Sequence, residues 1–235
     1  MESKHKEKIL SFYKMLPFHE HPFWAGVLNH DFTLHQIIQA EKQHYIRTRA
    51  GQVLRHNSVQ FAPSKSPKIF EAALGNYLEE VAPTDSSPSH LDLIKRLLSI
   101  GGVSENELET VRPTPGNSAA MALYIDIARR GTACHLIGAG AVEYFYAELT
   151  PKIYEAYTSN YGMTPHQAET YLIHGTVDKR HASRAFDVLD EAVSLFGWSL
   201  IEESVRDAFI ATSLHYDGML QAAIEKITYW DGGTK

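Results

Sequence analysis

The segment HGTVDKRH, residues 174–181, holds three side chains of the kinds that bind metal ions. Asp178 lies four positions after His174, and His181 lies three positions after Asp178. At about 100° per residue of an α-helix, they share a stripe about 60° wide. Imidazole and carboxylate groups on one helical face can bind iron, zinc and related divalent ions. Whether they do so depends on whether this face points into the protein or into water.

The residues around the triplet predict that its face is buried. The same stripe carries mainly apolar side chains, namely Tyr171, Ala185, Val188, Leu189, Ala192 and Phe196. The opposite side carries charged side chains, namely Lys179, Arg180, Arg184, Asp187, Asp190 and Glu191. A buried carboxylate without a partner costs several kcal/mol or becomes neutral. Two interpretations remain open: a shared divalent metal ion, or an internal hydrogen-bonded network of the two histidines and the aspartate.

A metal site would need further buried ligands, because one helix supplies at most three. Glu143 shares a stripe with small and apolar residues, whereas Glu148 and Glu155 lie on the other side of their predicted helix. Glu80 lies at the margin of an apolar helical face, and its neighbour Glu79 points toward solvent. Glu143 and Glu80 are therefore the candidates, although a glutamate at a helix end is often solvated.

His90 is a further candidate, since it begins a predicted helix whose apolar face follows it. Taken alone, His90 fits a capping or core role better than a ligand role. The complete candidate set consists of Glu80, His90, Glu143, His174, Asp178 and His181. Carboxylates can bridge two cations and imidazoles suit iron, so this composition fits a dinuclear iron site in a helical bundle.

The elements that must position these residues are predicted to be helices. Strand-like alternation is almost absent, and the pattern predicts long helices at 34–56, 68–81, 90–102, 118–161, 165–196 and 199–227. Gly131 and Pro151 are candidate break points, and Ser89 is a candidate N-cap. The expected fold is an all-α bundle of seven or eight helices, with residues 1–235 forming one domain.

Composition narrows the class of protein. The chain has 235 residues, 44% apolar and 21% charged, and a net charge of −6, which argues against nucleic acid or an anionic membrane as partner. A single cysteine, Cys134, excludes an internal disulfide and fits a reducing cytosol. The N-terminal segment is too charged for a signal peptide, and no apolar run approaches a membrane span. We therefore expect a soluble cytoplasmic protein.

Several motifs resemble one superfamily along nearly the whole chain. HGTVDKRH is similar to an H-x-x-x-D-x-x-H signature, and it is the most specific of them. The others are HPFW (21–24), QHY (43–45), NYLEEV with SHLDLI (76–94), and Glu143 followed by YG (161–162). Together they resemble the haem-oxygenase-like superfamily that contains TenA and PqqC. Within it they resemble the di-iron oxidases related to the chlamydial protein associating with death domains (CADD).

This resemblance implies that the six candidate residues are the ligands of two non-haem iron ions. It also implies a haem-oxygenase-like fold, a homodimer, and an oxidoreductase that uses O2 to oxidise a small amino acid, fatty acid or aromatic substrate. The chain departs from the family pattern at two places. Ala82 and PTDSSPS (83–89) lengthen the link between Glu80 and His90, and the proline expected one turn after Glu143 is Pro151, a turn later. The displaced proline makes Glu148 a rival of Glu143.

Substrate-facing residues are less well determined. His44, Tyr45, Tyr124 and Tyr144 are pocket candidates, although ordinary core packing explains each of them. Arg47 and Arg49 could bind a substrate carboxylate, but at least one of them must face water. The sequence identifies no catalytic acid or base.

Three other functions are compatible with the sequence. A TenA-like hydrolase would use Cys134 as its nucleophile, and a PqqC-like oxidase would work without metal through some of the thirteen histidines. A non-enzymatic interaction protein would keep only a vestigial site. A buried aspartate between two histidines favours a metal over the first two, and three buried carboxylates argue against the third.

Overall fold

The computed structural model describes residues 4–82 and 88–226, and every regular element within those ranges is helical. The α-helices are α1 (Lys4–Phe12), α2 (Pro22–Leu28), α3 (Leu34–Gln60), α4 (Pro67–Glu80), α5 (His90–Leu98), α6 (Glu105–Thr110), α7 (Pro115–Arg129), α8 (Thr132–Ser159), α9 (Glu169–Asp187), α10 (Leu189–Phe196) and α11 (Trp198–Ile224). Single 3-10 turns lie at Tyr13–Met15, Phe18–Glu20 and Ser99–Gly101. The predicted all-α class is confirmed.

The described chain has eleven α-helices, more than the seven or eight expected from the sequence. Three of the additional helices, α1, α2 and α6, are short and were not predicted. Gly131 divides the long helix predicted at 118–161, because its φ of +128° lies outside the helical region. Pro151 does not break the chain there and lies inside α8. A second division falls at Val188, between α9 and α10.

Side-chain caps determine where the helices next to the site begin. Ser89 caps α5, accepting from the backbone N–H of Asp92, while the Asp92 carboxylate accepts from the backbone N–H of Ser89. The predicted N-cap is therefore confirmed, and it makes His90 the first helical residue. Of the inserted segment before it, residues 83–87 lie outside the described residues.

Helices α8 and α9 pack closely and run antiparallel. A Cβ atom on Gly140 of α8 would lie 2.3 Å from Ala185 Cβ of α9, and one on Gly175 of α9 would lie 3.2 Å from Pro151 of α8. The two contacts advance in opposite chain directions, which defines the antiparallel arrangement. Only glycine permits so close an approach at Gly140. As a result, Glu143 of α8 lies directly beside the face of α9 that carries HGTVDKRH.

Helix α3 lies on the other side of the site, where it contacts α4, α5, α7 and α11. The last helix, α11, packs along α7, α8 and α3 and completes the apolar surroundings of the site. None of the helices in the described ranges combines the length and apolar character that crossing a membrane requires.

Candidate metal centre

Four helices bring the six sequence-predicted residues into one cluster. Glu80 is the last residue of α4 and His90 is the first residue of α5. Glu143 comes from the middle of α8, and α9 contributes the triplet. All are buried except His90, which is partly buried. We call these residues, namely Glu80, His90, Glu143, His174, Asp178 and His181, the carboxylate–histidine cluster.

Glu80 occupies the centre of this cluster. Its Oε2 lies 2.8 Å from His90 Nδ1, and its Oε1 lies 3.5 Å from His174 Nε2 and 3.7 Å from His181 Nδ1. Two sets of possible ligand atoms result, each within 4.8 Å: Glu80 with His90 and His174, and Glu80 with Asp178 and His181. Glu143 joins the second set, with Oε1 3.5 Å from His181 Nδ1. A shared carboxylate between two ligand sets is the arrangement that a dinuclear metal site requires.

Several polar atoms of the cluster are buried without a hydrogen-bond partner. They are His90 Nε2, His174 Nε2, both ring nitrogens of His181, Glu143 Oε2 and Asp178 Oδ2. Buried polar groups in folded proteins are nearly always paired, because an unpaired one keeps its full desolvation cost. Lone pairs of imidazole and carboxylate that converge in this way fit divalent cations, and the donor set of nitrogen and oxygen suits iron.

The histidines of α9 are held by contacts outside the cluster. The backbone carbonyl of Thr170 can only accept, so His174 Nδ1 donates to it at 2.6 Å and Nε2 is the ring nitrogen that faces the cluster. His181 Nε2 lies 3.2 Å from Glu79 Oε2, and Glu79 also pairs with Arg180 and Arg184. A carboxylate or carbonyl behind a ligating histidine is the usual support of metal-binding imidazole.

Charges within the cluster shift its pKa values in both directions. Burial and the neighbouring carboxylates raise the pKa of Asp178 to about 8. Burial opposes ionisation of Glu80, but Arg55 and His90 outweigh it and hold the pKa of Glu80 well below its usual range. Burial also works against protonation of His174, yet Asp178 and Glu80 raise the pKa of His174 to about 9. The protein thus holds negative and positive groups together in one buried cluster.

The sequence left two choices of ligand open, Glu143 or Glu148 and Glu80 or Glu79, and the positions of these side chains distinguish them. Glu148 is exposed on α8, whereas Glu143 is buried in the cluster. Glu79 lies behind His181 and is engaged by two arginines, whereas Glu80 is central. Burial and contacts therefore favour Glu143 and Glu80 as the ligands.

Arg55 of α3 is a member of the site that the sequence analysis missed. Its Nη2 lies 3.1 Å from Glu143 Oε1 and 3.6 Å from Glu80 Oε2. The available signal was its spacing from Arg47 and Gly51, which places these three residues on one face of α3. That spacing alone did not show that this face of α3 turns toward the glutamates.

A cavity of about 1100 Å³, its mouth included, opens beside the cluster. Its acidic lining residues are Glu80, Glu143 and Asp178. Apolar side chains form much of the remaining wall, among them Met121, Ile125, Ile127, Ala139 and Val142. The cavity therefore joins the carboxylate–histidine cluster to a space that suits an apolar molecule.

The predicted pocket residues divide between this cavity and other environments. Tyr124 lines the cavity. His44 is buried behind the cluster, with its ring 5.4 Å from that of His90. Tyr45 lies in the core beneath Arg49, and Tyr144 is exposed near Phe186, so neither lines the cavity. Both α3 and α8 border the cavity, but periodicity did not show which face of each helix turns toward it.

Cys134 also lies away from the cavity lining. The cysteine is buried, its Sγ lies 3.9 Å from the carbonyl oxygen of Arg130, and burial raises the pKa of its thiol. A nucleophilic cysteine normally has a lowered pKa and access to substrate. Its surroundings are those of a core residue.

The fold is shared with solved structures of low sequence identity. A domain of unknown function with a haem-oxygenase-like fold from Shewanella denitrificans gives a TM-score of 0.74 at 15% identity, over 97% of this chain and 94% of that chain. A CADD-like protein of unknown function from Nostoc punctiforme gives 0.74 at 14%, over 95% and 97%. A TenA family transcription regulator from Silicibacter gives 0.72 at 13%, over 93% and 97%. The protein therefore has the haem-oxygenase-like fold, and identities this low show the fold alone.

A model of the family described as iron-containing redox enzymes matches residues 48–223. The match covers most of the chain and includes all six residues of the carboxylate–histidine cluster. The chain belongs to this family of iron-containing redox enzymes. No curated protein matches the chain in sequence.

Proposed function

We propose that this protein is a non-haem di-iron oxidase that uses O2 to oxidise a small organic molecule. One observation carries the proposal: Glu80 is shared by two sets of buried ligand atoms, several of which have no partner within the protein. Membership of an iron-containing redox enzyme family supports iron as the metal. Neither the number of ions nor the substrate follows from family membership.

The two ligand sets divide the work of holding the ions. Glu80, His90 and His174 would hold one ion, and Glu80, Asp178 and His181 would hold the other together with Glu143. When bound, the iron ions supply the electrons with which O2 is activated. These six residues are the ones predicted from the sequence, and we propose that they act as ligands.

Other side chains of the protein prepare the cluster for this task. Thr170 orients the ring of His174 through a hydrogen bond, and the carboxylate of Glu79 lies 3.2 Å from Nε2 of His181. The positive charge of Arg55 helps to hold the pKa of Glu80 low against the effect of burial, so this carboxylate remains an anionic ligand. The apolar wall of the cavity limits water next to the reacting molecule, which suppresses side reactions.

Metal analysis after reconstitution tests the proposal. The protein is loaded anaerobically with Fe(II), freed of excess metal and assayed for iron per chain, alongside His174→Ala and the surface control His166→Ala. We expect two irons per chain in the parent and in His166→Ala, and a loss of at least one in His174→Ala. Magnetic coupling in the oxidised parent would show that the two ions share a bridge. No retained iron, or equal iron in His174→Ala, would contradict the proposal.

The hydrolase alternative makes a different prediction about Cys134. If Cys134 were a catalytic nucleophile, Cys134→Ser would abolish activity, and the activity of the parent would not depend on its iron content. The buried position of this thiol supports the opposite outcome, in which Cys134→Ser retains iron and O2 consumption.

A further inference from the structure

The cavity has a positively charged side chain that no acidic residue balances. Arg47 of α3 lines the cavity, and its buried Nε has no hydrogen-bond partner. Among the described residues no carboxylate lies within ion-pair distance of Arg47, whereas Arg55, two turns along the same helix, pairs with Glu143 and Glu80. Arg47 is partly buried, and withdrawing a guanidinium from water without a counterion has a free-energy cost. An arginine in this position is typical of a site that is completed by an anion from outside.

The side chains that act most strongly on Arg47 are phenols and not carboxylates. They include the phenols of Tyr124, Tyr146 and Tyr216. Burial raises the pKa values of Tyr146 and Tyr216 well above their usual range, so neither supplies a negative charge. Burial and the charge of Arg47 lower the pKa of His215, so this imidazole adds no positive charge beside Arg47. Glu41, the one acidic residue of α3, accepts hydrogen bonds from Tyr157 and Tyr171.

The distance between Arg47 and the carboxylate–histidine cluster limits which molecules could reach both. Arg47 and Arg55 are eight residues apart, so their backbones are separated by about 12 Å along the helix. Arg55 contacts the cluster, whereas Arg47 lies farther along the same cavity wall. Apolar side chains such as Ile125 and Met121 also line the cavity. A molecule that reaches both places needs an anionic end and an apolar body.

The lining also disfavours an amino group close to the anion. The acidic residues that line the cavity are Glu80, Glu143 and Asp178, and all three belong to the carboxylate–histidine cluster. None is left to pair with an ammonium group beside Arg47. An α-amino acid would therefore leave its positive charge next to a guanidinium without compensation.

We infer that Arg47 is the anchor for the carboxylate of an amphipathic acid without an α-amino group, whose apolar body extends toward the carboxylate–histidine cluster. Guanidinium binds carboxylate through two parallel hydrogen bonds, which fixes the orientation of the acid as well as its charge. Oxidation would then fall on the apolar body, while the carboxylate stays at Arg47. This part of the inference rests on the proposed function, whereas the anchoring role of Arg47 does not.

Binding of octanoate, with octan-1-ol as the uncharged match, tests the anchor. Isothermal titration would compare the parent, Arg47→Met and the exposed control Arg49→Met, each with and without bound iron. We expect octanoate to bind the parent and Arg49→Met alike, and Arg47→Met about ten- to a hundredfold more weakly, the range for losing a charged hydrogen-bonded pair. Octan-1-ol should bind all three equally. Equal binding of octanoate by Arg47→Met and the parent, or no preference of the parent for octanoate over octan-1-ol, would overturn the inference.

The design separates this inference from the di-iron proposal. Octanoate binding that needs Arg47 but not iron supports the anchor even if no metal is retained. Octanoate binding that needs iron and ignores Arg47 would mean that the acid binds the metal directly, and the anchor would be wrong. If Arg47→Met fails to fold, Arg47→Lys keeps the charge but loses the paired geometry, and weaker octanoate binding with unchanged octan-1-ol binding would still support the inference.

Discussion

The protein contains two buried acidic clusters that differ in how fully their polar atoms are paired. Glu41 of α3 is fully buried, and its Oε1 accepts from the hydroxyls of Tyr157 at 2.5 Å and Tyr171 at 2.6 Å. Its Oε2 lies 3.0 Å from His44 Nδ1, and His44 Nε2 is the one unpaired buried atom of this group. In the carboxylate–histidine cluster, by contrast, three histidines, Glu143 and Asp178 all have unpaired buried atoms.

The difference teaches that spacing alone does not distinguish a metal site from a structural network. Glu41 and His44 have the Glu-x-x-His spacing that bundle metalloproteins use. Two phenols nevertheless saturate one oxygen of Glu41, and burial and Glu41 itself keep the pKa values of both phenols high, so they remain donors. A network closed in this way stabilises the fold. A cluster left open is the one suited to bind an ion.

The largest expected effect on stability comes from removing Glu41. Glu41→Leu leaves the Tyr157 hydroxyl buried without an acceptor and leaves the Tyr171 hydroxyl only His44 Nδ1, at 3.4 Å. We expect this substitution to lower the free energy of unfolding by about 3–5 kcal/mol. Urea denaturation of the metal-free protein measures this. The exposed Glu155→Leu on α8 is the control, with an expected change within about 0.5 kcal/mol. A cost for Glu41→Leu no greater than that of the control would mean that the network does not stabilise the fold.

Iron that binds the carboxylate–histidine cluster should produce the next largest effect on stability. Free Fe(II) at a hundred times its dissociation constant is expected to raise the free energy of unfolding by about 2.7 kcal/mol, because it binds the folded state. The same increment should appear in Glu41→Leu and be reduced or lost in His174→Ala, and a chelator should reverse it. Thermal or urea unfolding under anaerobic conditions gives the comparison. An equal increment in His174→Ala would place the metal elsewhere.

Removing one hydrogen bond from the network around Glu41 should have a smaller effect on stability. Tyr171→Phe removes one of the two phenolic donors to Glu41, and we expect a loss of about 2 kcal/mol, typical of a hydrogen bond to a charged group. Tyr144→Phe removes an exposed hydroxyl of the same kind and should change stability by less than about 0.5 kcal/mol. If both variants unfold at the same urea concentration, Tyr171 contributes no net stabilisation to the network.

The smallest change in stability is expected at Asp178, in spite of its burial. Its Oδ2 has no partner, and burial with the nearby carboxylates raises its pKa to about 8, so the group is largely uncharged at pH 7. Asp178→Asn should alter the free energy of unfolding of the metal-free protein by less than about 1 kcal/mol. Iron per chain should nevertheless fall. A stability loss as large as that of Glu41→Leu would show that Asp178 is a structural residue.

The sequence determined the helical class and the face of α9 that carries the triplet, because helix periodicity is a local property. His174, Asp178 and His181 fall on the buried stripe, as their spacing predicted. The Ser89 cap and the break at Gly131 were likewise visible, since capping and positive φ depend on a few adjacent residues. The short helices and the division at Val188 were not visible, because tertiary packing stabilises segments too short to form helices alone.

Tertiary structure decided which residues of different helices meet. Glu80 and His90 lie 2.8 Å apart across an inserted segment, and Arg55 reaches both Glu80 and Glu143 from a third helix. It also decided that Glu41 is satisfied while Arg47 is not, although both are charged residues of α3. Periodicity fixes the face on which a side chain lies, but the partner on that face comes from the packing of distant segments. For buried charges, that partner determines whether the group stabilises the fold or is left to bind a ligand.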